Sequence, residues 1–242
     1  MPDDAAPDPK DEAKRAAALR ACALVEDGMR VGLGTGSTAV HMVRRLGERA
    51  RGEGLRLRCV PTSDRTAALA RAVGLSVTAL EDVGRLDLTI DGADEADDDG
   101  TLIKGGGGAL LREKIVAAAS DRFVMVADAE KRVDVLGRFP LPVEVSAFGW
   151  TATRDLIDEV LAGQDVDGHG IAPRETAFGP YRTDGGNLIL DLSLRRIGSP
   201  RRLAAALLAV PGVVETGLFL DMTDVMMFGR TDGSVDVVAL DG

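Results

Sequence analysis

Aromatic rings are scarce in this chain: one tryptophan, one tyrosine and six phenylalanines make up 3% of 242 residues. Its core must therefore rest on Ala, Val, Leu and Ile. Cysteine is scarcer still. Two cysteines cannot build a zinc cluster, and each lies in an apolar setting ("RACALV", "RLRCVP"). Cys22 and Cys59 accordingly read as buried thiols, not as a disulfide or nucleophiles. Positive charge is in deficit, with a formal net charge of −10. That balance excludes a nucleic-acid partner, which requires a basic face. No apolar run approaches the ~20 residues of a membrane span, and the start lacks the charged-then-apolar layout of a secretory signal. The expectation is a cytoplasmic protein with no membrane partner.

What is present is ordinary in bulk and patterned in order. Apolar residues at 45% and charged residues at 28% suit a globular chain long enough for one large domain or two small ones. The opening "PDDAAPDPKDE" sets five acids and three prolines against one lysine, and reads as a disordered, solubilising tail over residues 1–12. Over Lys10–Asp27 alanine and leucine recur with helical spacing, and Arg30–Leu33 reads as a buried strand. Ser37 is placed to cap a helix running to about Ala50. Leu55–Val60, Leu75–Leu80, Leu86–Ile90 and Arg122–Ala127 read as strands, with helices over Asp64–Val73 and Ala109–Ser120. Such alternation implies βαβ units and a parallel sheet covered on both faces.

After Gly137 the rhythm changes. "FPLPVEVSAFGW" reads as a linker into an edge strand, because proline cannot donate to a ladder. Thr151–Leu161 and Pro200–Val210 read as helices, and Ile171–Ala177, Asn187–Leu194 and Gly217–Leu220 as strands. This order suggests a second, smaller α+β domain over 138–217. Asp224–Phe228 and Val235–Leu240 are expected to rejoin the first sheet, so that 13–137 and 218–242 make the α/β domain. Phe148, Trp150 and Tyr181 read as core or inter-domain packing.

Three segments hold the charge and bare backbone that chemistry would need. "VGLGTGSTAV" (Val31–Val40) follows a strand and opens a helix, where unpaired N–H groups await an anion. The dinucleotide fingerprint fails, since Ser37 stands where its third glycine belongs, and no GK[ST] follows for a Walker loop. Hydroxyls on Thr35, Ser37 and Thr38 suit a phosphate or a sugar, but a tight turn with an ordinary cap fits the segment equally well. "DGADEADDDGTLIKGGGG" (Asp91–Gly108) places six carboxylates in nine residues before a lysine and four glycines. A calcium loop fails at its twelfth position, which is Gly106 instead of a bidentate glutamate. Asp97, Asp98 and Asp99 read as a hydrated turn. Asp91 and Asp94 stand at the carboxyl end of an apolar strand, where open parallel sheets bind ligands. Gly105–Gly108 form a backbone anion nest with Lys104 at its edge. Glu113 follows on the next helix. Alone it would read as a surface partner of Arg112 or Lys114; beside the glycine loop it becomes a candidate base. Together these groups suit proton transfer between adjacent carbons of a sugar phosphate. That reaction needs a carboxylate base, donors for an enediolate oxygen and a proton shuttle between O1 and O2. His41 and His169 read as exposed or structural.

In this order and spacing, "GLGTGSTA", "DGADE", "KGGGGALLREKI", "ADAEKRVDVLG", "FPLPVEV" and "PGVVETGLF" resemble the type A ribose-5-phosphate isomerases, from about Lys10 to the C-terminus. The resemblance implies a Rossmann-like α/β domain plus a smaller α+β domain, with no metal and no cofactor. It implies interconversion of D-ribose 5-phosphate and D-ribulose 5-phosphate in the non-oxidative branch of the pentose phosphate pathway, by a homodimer or tetramer. By position it makes Glu113 the general base and Asp91 and Asp94 the site aspartates, Asp91 being the partner in ring opening or O1/O2 proton transfer. Lys104 becomes the stabiliser of negative charge. Substrate binding falls to Thr35, Gly36, Ser37, Thr38, Asp91, Gly92, Ala93, Asp94, Lys104, Gly105, Gly106, Gly107 and Lys131. The chain departs from the family pattern at Gly185, at Ser146–Ala147, in its fourth loop glycine and in "TDVMMFG". An amino-sugar-phosphate deaminase or a CoA transferase would keep this fold and change the substrate. A sugar-phosphate sensor would need a DNA-binding helix-turn-helix, for which roughly 28 residues before the first strand are too few. A dehydrogenase is disfavoured by the failed glycine fingerprint.

Overall fold

The segment "FVMVAD" (Phe123–Asp128) is buried at every position, as a strand covered on both faces must be. A computed structural model, which describes residues 8–240, shows what covers it. Along the chain run α1 (Pro9–Cys22), β1 (Arg30–Leu33), α2 (Ser37–Glu53), β2 (Arg58–Pro61), α3 (Asp64–Ala72), α4 (Leu80–Val83) and β3 (Leu88–Gly92). A hairpin of β4 (Glu95–Ala96) and β5 (Leu102–Ile103) precedes α5 (Leu110–Ala118) and β6 (Phe123–Asp128). Next come β7 (Leu141–Val145), α6 (Trp150–Leu161), β8 (Gly170–Pro173), β9 (Glu175–Thr176), β10 (Gly179–Pro180) and β11 (Leu188–Ser193). The chain closes with α7 (Pro200–Leu208), β12 (Val213–Thr216), β13 (Leu218–Phe219), β14 (Val225–Gly229) and β15 (Val235–Ala239).

The main sheet has the order β15-β14-β6-β3-β1-β2, all parallel except the antiparallel edge strand β15. Alternation sorts its side chains. Val124 and Val126 join the core shared with α1 and α2, whereas Phe123, Met125 and Ala127 pack with Ala117 of α5 and Phe219. The sheet reverses its winding between β1 and β3, so a crevice opens beyond the carboxyl ends of these two strands. A second sheet, β12-β7-β11-β8, is antiparallel and carries α6 and α7 over Val143, Leu190 and Leu192. β13 pairs with β5, which pairs with β4, in a three-stranded ribbon that joins the two. No helix among the described residues is long and apolar enough to cross a membrane.

Several expectations need correction. Residues 1–7 of the expected tail lie outside the described residues, and from Pro9 the chain is already helical, capped by Asp8. That helix stops at Cys22, well short of Asp27, where Arg49 takes the carbonyls of Cys22 and Val25. Leu75–Leu80 forms only an isolated bridge at Val77 beside Cys59, and then turns into α4. β7 is an interior strand, not an edge. Pro142 is tolerated there because it lies past Val143, where the pairing with β12 ends. Phe148 is 93% exposed, so it packs no core. Cys22 and Cys59 are buried, and burial pushes both thiols up to about 12.

Glu95, counted in the acidic run, is buried under the crossover between the sheets. Its carboxylate accepts the N–H groups of Gly137 and Phe139 at 2.7 and 2.6 Å. Replacing it with glutamine turns one acceptor into a donor facing a donor. Glu95→Gln should cost about 1–3 kcal/mol, read as a fall of several degrees in Tm by calorimetry.

Candidate functional site

β1 and β3 end side by side at the reversal of the sheet, and their loops build the floor of a cleft. Asp91, 1% exposed at the end of β3, uses Oδ1 to accept Thr35 N at 3.0 Å and Gly92 N at 2.7 Å. It thereby pins the loop that leaves β1. That loop enters α2 through Gly36, whose φ of 110° is open to glycine and closed to other residues. Ser37, expected as the cap, is the first helical residue, and no side chain caps the helix. The first-turn N–H groups therefore face the cleft, carrying the positive end of the helix dipole. The Thr35 hydroxyl is not free for a ligand: it is engaged by Thr62, Ser63 and Thr66 beneath the loop, at 2.8–3.1 Å.

Lys104 leaves the end of β5 and is buried with Asp91 and with Glu113, in the first turns of α5. Its ammonium lies 3.1 Å from Asp91 Oδ2 and 3.5 Å from Glu113 Oε1, and donates to Gly92 O. One cation cannot neutralise two carboxylates in so dry a place. Burial pushes Glu113 up to about 8; the Lys104 ammonium opposes this, while Asp91 and Asp94 add to it. Burial also raises Asp91 against the pull of Lys104. Burial lowers Lys104 itself, but the carboxylates around it overcome that and hold it above its ordinary value. Glu113 Oε2 is buried and has no hydrogen-bond partner among the described residues. The neighbours that sequence offered as its surface partners turn elsewhere. Arg112 pairs with Asp64 and Asp184, and Lys114 with Glu215 at 2.7 Å.

The cleft has a cavity volume of about 130 Å³ and is lined by Thr35, Gly36, Ser37, Thr38, Gly92, Ala93, Asp94, Lys104, Gly105, Gly107, Glu113 and Lys131. Asp91 lies behind this surface, and Gly106 donates its N–H to Asp94 Oδ2 at 2.7 Å. Asp97 folds back on Asp99 N and Thr101 N, and Asp98 pairs with Arg132, all away from the cleft. Sequence reasoning missed Lys14 and Asp128, which also line it. Both left a signal. Lys14 borders the buried alanine face of α1, and Asp128 ends an apolar strand, as Asp91 does.

The family description "Ribose 5-phosphate isomerase A (phosphoriboisomerase A)" matches residues 58–233, and the fold and cleft are those of an aldose–ketose isomerase. Ribose-5-phosphate isomerase A of Jannaschia sp. (strain CCS1) is 59% identical over 95% of this chain and 87% of its own. The solved ribose 5-phosphate isomerase of Plasmodium falciparum superposes with a TM-score of 0.90 at 32% identity, covering 96% of this chain and 100% of that one. A D-ribose-5-phosphate isomerase solved in complex with phospho-erythronic acid reaches 0.87 at 35% identity, covering 94% of this chain and 98% of that one. This chain belongs to the ribose 5-phosphate isomerase A family.

The raised Glu113 makes stability depend on pH with a defined sign. The unfolded chain releases this proton near 4.5 and the folded chain near 8, so stability from this group is full below the first value and lost as pH rises through the second. Glu113→Gln should therefore gain in Tm over the parent as pH rises from about 5 to about 9, followed by thermal melts at each pH.

Proposed function

We propose that this chain interconverts D-ribose 5-phosphate and D-ribulose 5-phosphate, with Glu113 carrying the proton between C2 and C1. The observation that carries this reading is Glu113 Oε2: whereas the similarly unbonded Asp91 Oδ2 lies behind the cleft, 3.1 Å from the Lys104 ammonium, this is a buried carboxylate oxygen with no hydrogen-bond partner among the described residues, on a side chain that lines the cleft. Such an atom is spent on a ligand or wasted. In the forward direction ionised Glu113 takes the C2 proton of the open-chain aldose and leaves an enediolate. Lys104, 3.5 Å from Glu113, stabilises the oxygen charge that develops. Glu113 then returns the proton to C1, while a second group moves a proton from O2 to O1. Asp94 suits that task better than Asp91, because Asp94 lines the cleft and Asp91 is committed to Thr35, Gly92 and Lys104. Asp91 then acts as a positioning residue.

The phosphate belongs at the uncapped start of α2, with Lys14 and Lys131 closing over it. A family relative solved with phospho-erythronic acid, a phosphorylated sugar acid, supports a cleft that takes a phosphate at one end and an anionic oxygen pair at the other. The non-oxidative pentose phosphate branch, a homodimer and a cytoplasmic location belong to the same proposal, and light scattering on the purified protein tests the dimer.

Glu113→Gln should fold and lose about 10²-fold or more in kcat with little change in KM; near-parental turnover would remove it as the base. With the parent enzyme, kcat/KM should climb with pH and level off above an apparent pKa of about 8, as Glu113 ionises. Lys131→Ala should raise KM about tenfold and leave kcat near its parental value, as initial rates against ribose 5-phosphate would report.

A further inference from the structure

Arg174 extends from the second sheet, just past β8, onto the glycine loop of the cleft. Its Nη1 donates to Gly105 O at 2.7 Å and to Gly106 O at 3.1 Å. Asp191 on β11 holds the rest of the fork, with Nε at 2.9 Å and Nη2 on the other oxygen. The Tyr181 ring lies 5.9 Å from the guanidinium. A trans peptide sets its C=O and the following N–H antiparallel. Fixing the Gly105 carbonyl therefore aims Gly106 N–H the opposite way, where it meets Asp94 Oδ2 at 2.7 Å. Fixing the Gly106 carbonyl likewise aims Gly107 N–H away from Arg174. Gly107 lines the cleft, and its N–H has no backbone acceptor among the described residues. Peptide planes between glycines turn easily; within the loop Gly108 N–H also holds the Gly105 carbonyl at 2.9 Å, whereas the Gly106 carbonyl is held from outside, by Arg174.

We propose that Arg174 is a positioning residue: it orients two peptide planes so that Gly106 N–H holds Asp94 and Gly107 N–H meets the enediolate oxygen. The proposal rests on the isomerase reading above. Because the Gly107 contact strengthens only as charge develops, its loss appears in kcat.

The test compares the parent with Arg174→Ala, Arg174→Lys and Asp191→Asn, by steady-state kinetics and by amide hydrogen exchange over residues 102–110. For Arg174→Ala the expected result is a kcat lower by about 10²-fold with KM within about threefold. Exchange at Gly106, whose N–H is held by Asp94, should be at least about tenfold faster. Added guanidinium ion should restore part of kcat in Arg174→Ala and none in the parent, and Arg174→Lys should fall between the two. Unchanged kcat in Arg174→Ala, or a lower kcat with unchanged loop exchange and no rescue, would overturn the assignment. If Arg174→Ala fails to fold, Asp191→Asn loosens the same fork and carries the same two readouts. If the parent shows no turnover of ribose 5-phosphate, the isomerase reading fails. The exchange comparison then decides Arg174's hold on the loop by itself, faster exchange supporting it and unchanged exchange refuting it.

Discussion

Lys104 faces Asp91 and Glu113 with a single ammonium, and the surplus of negative charge around it governs what the surrounding structure must accomplish. In water the three groups would ionise independently. Here all three are nearly sealed from solvent, and burial raises both carboxylates against the pull of Lys104, Glu113 to about 8. Each carboxylate has an oxygen without a hydrogen-bond partner among the described residues, Asp91 Oδ2 and Glu113 Oε2, and of the two side chains it is Glu113 that lines the cleft. Three separate elements meet to produce this: the end of β3, the end of β5 and the first turns of α5. None of them supplies more than one member, so the electrostatics depends on tertiary structure throughout.

That division explains which parts were legible in the sequence. Period-3.6 patterning located α2, α3, α6 and α7 because each has an apolar face of its own, and short apolar runs located β1 and β6, which are buried on both faces. Asp91 could be picked from six acids by its place at a strand end, and the split between Asp94 and the Asp97–Asp99 turn followed from the glycine after it. The two-residue strands β4, β5 and β13 left no periodic trace; they exist because backbone groups from distant segments pair. β7 was misplaced as an edge because its prolines are a local signal, whereas the register that accommodates them comes from β12. Glu95 is the sharpest case. Surrounded by five other acids in sequence, it spends both carboxylate oxygens on buried backbone N–H groups, a role set by Gly137 and Phe139 far along the chain.

The second sheet has no member in the acid–lysine cluster, yet it grips the elements that bear it. Lys114, the residue after Glu113, is tied to Glu215 and to Thr216 O, and Arg112, the residue before it, to Asp184. Lys104 N–H donates to Gly217 O, and Gly217 N–H to Pro142 O. Phe219 lies between the two lysines, its ring centroid 5.4 Å from Lys104 Nζ and 4.9 Å from Lys114 Nζ. Rigidity at the cleft is thus imported from a neighbouring layer, which leaves the cleft's own loops free to consist of glycine and small hydroxyl residues.

The route of the chain through the main sheet bears on how the protein is born. β14, close to the C-terminus, is wedged between β6 and β15, while α1, from the other end, packs across both β6 and β14. A nascent chain still without residues 223–240 has β6 exposed along one side and α1 without part of its seat. The stretch 141–216 carries a complete antiparallel sheet and both covering helices, although its core also takes in Ile103, Leu136 and Leu218 from the flanking segments. Closure of the larger sheet therefore waits until β14 has been made and seated between β6 and β15.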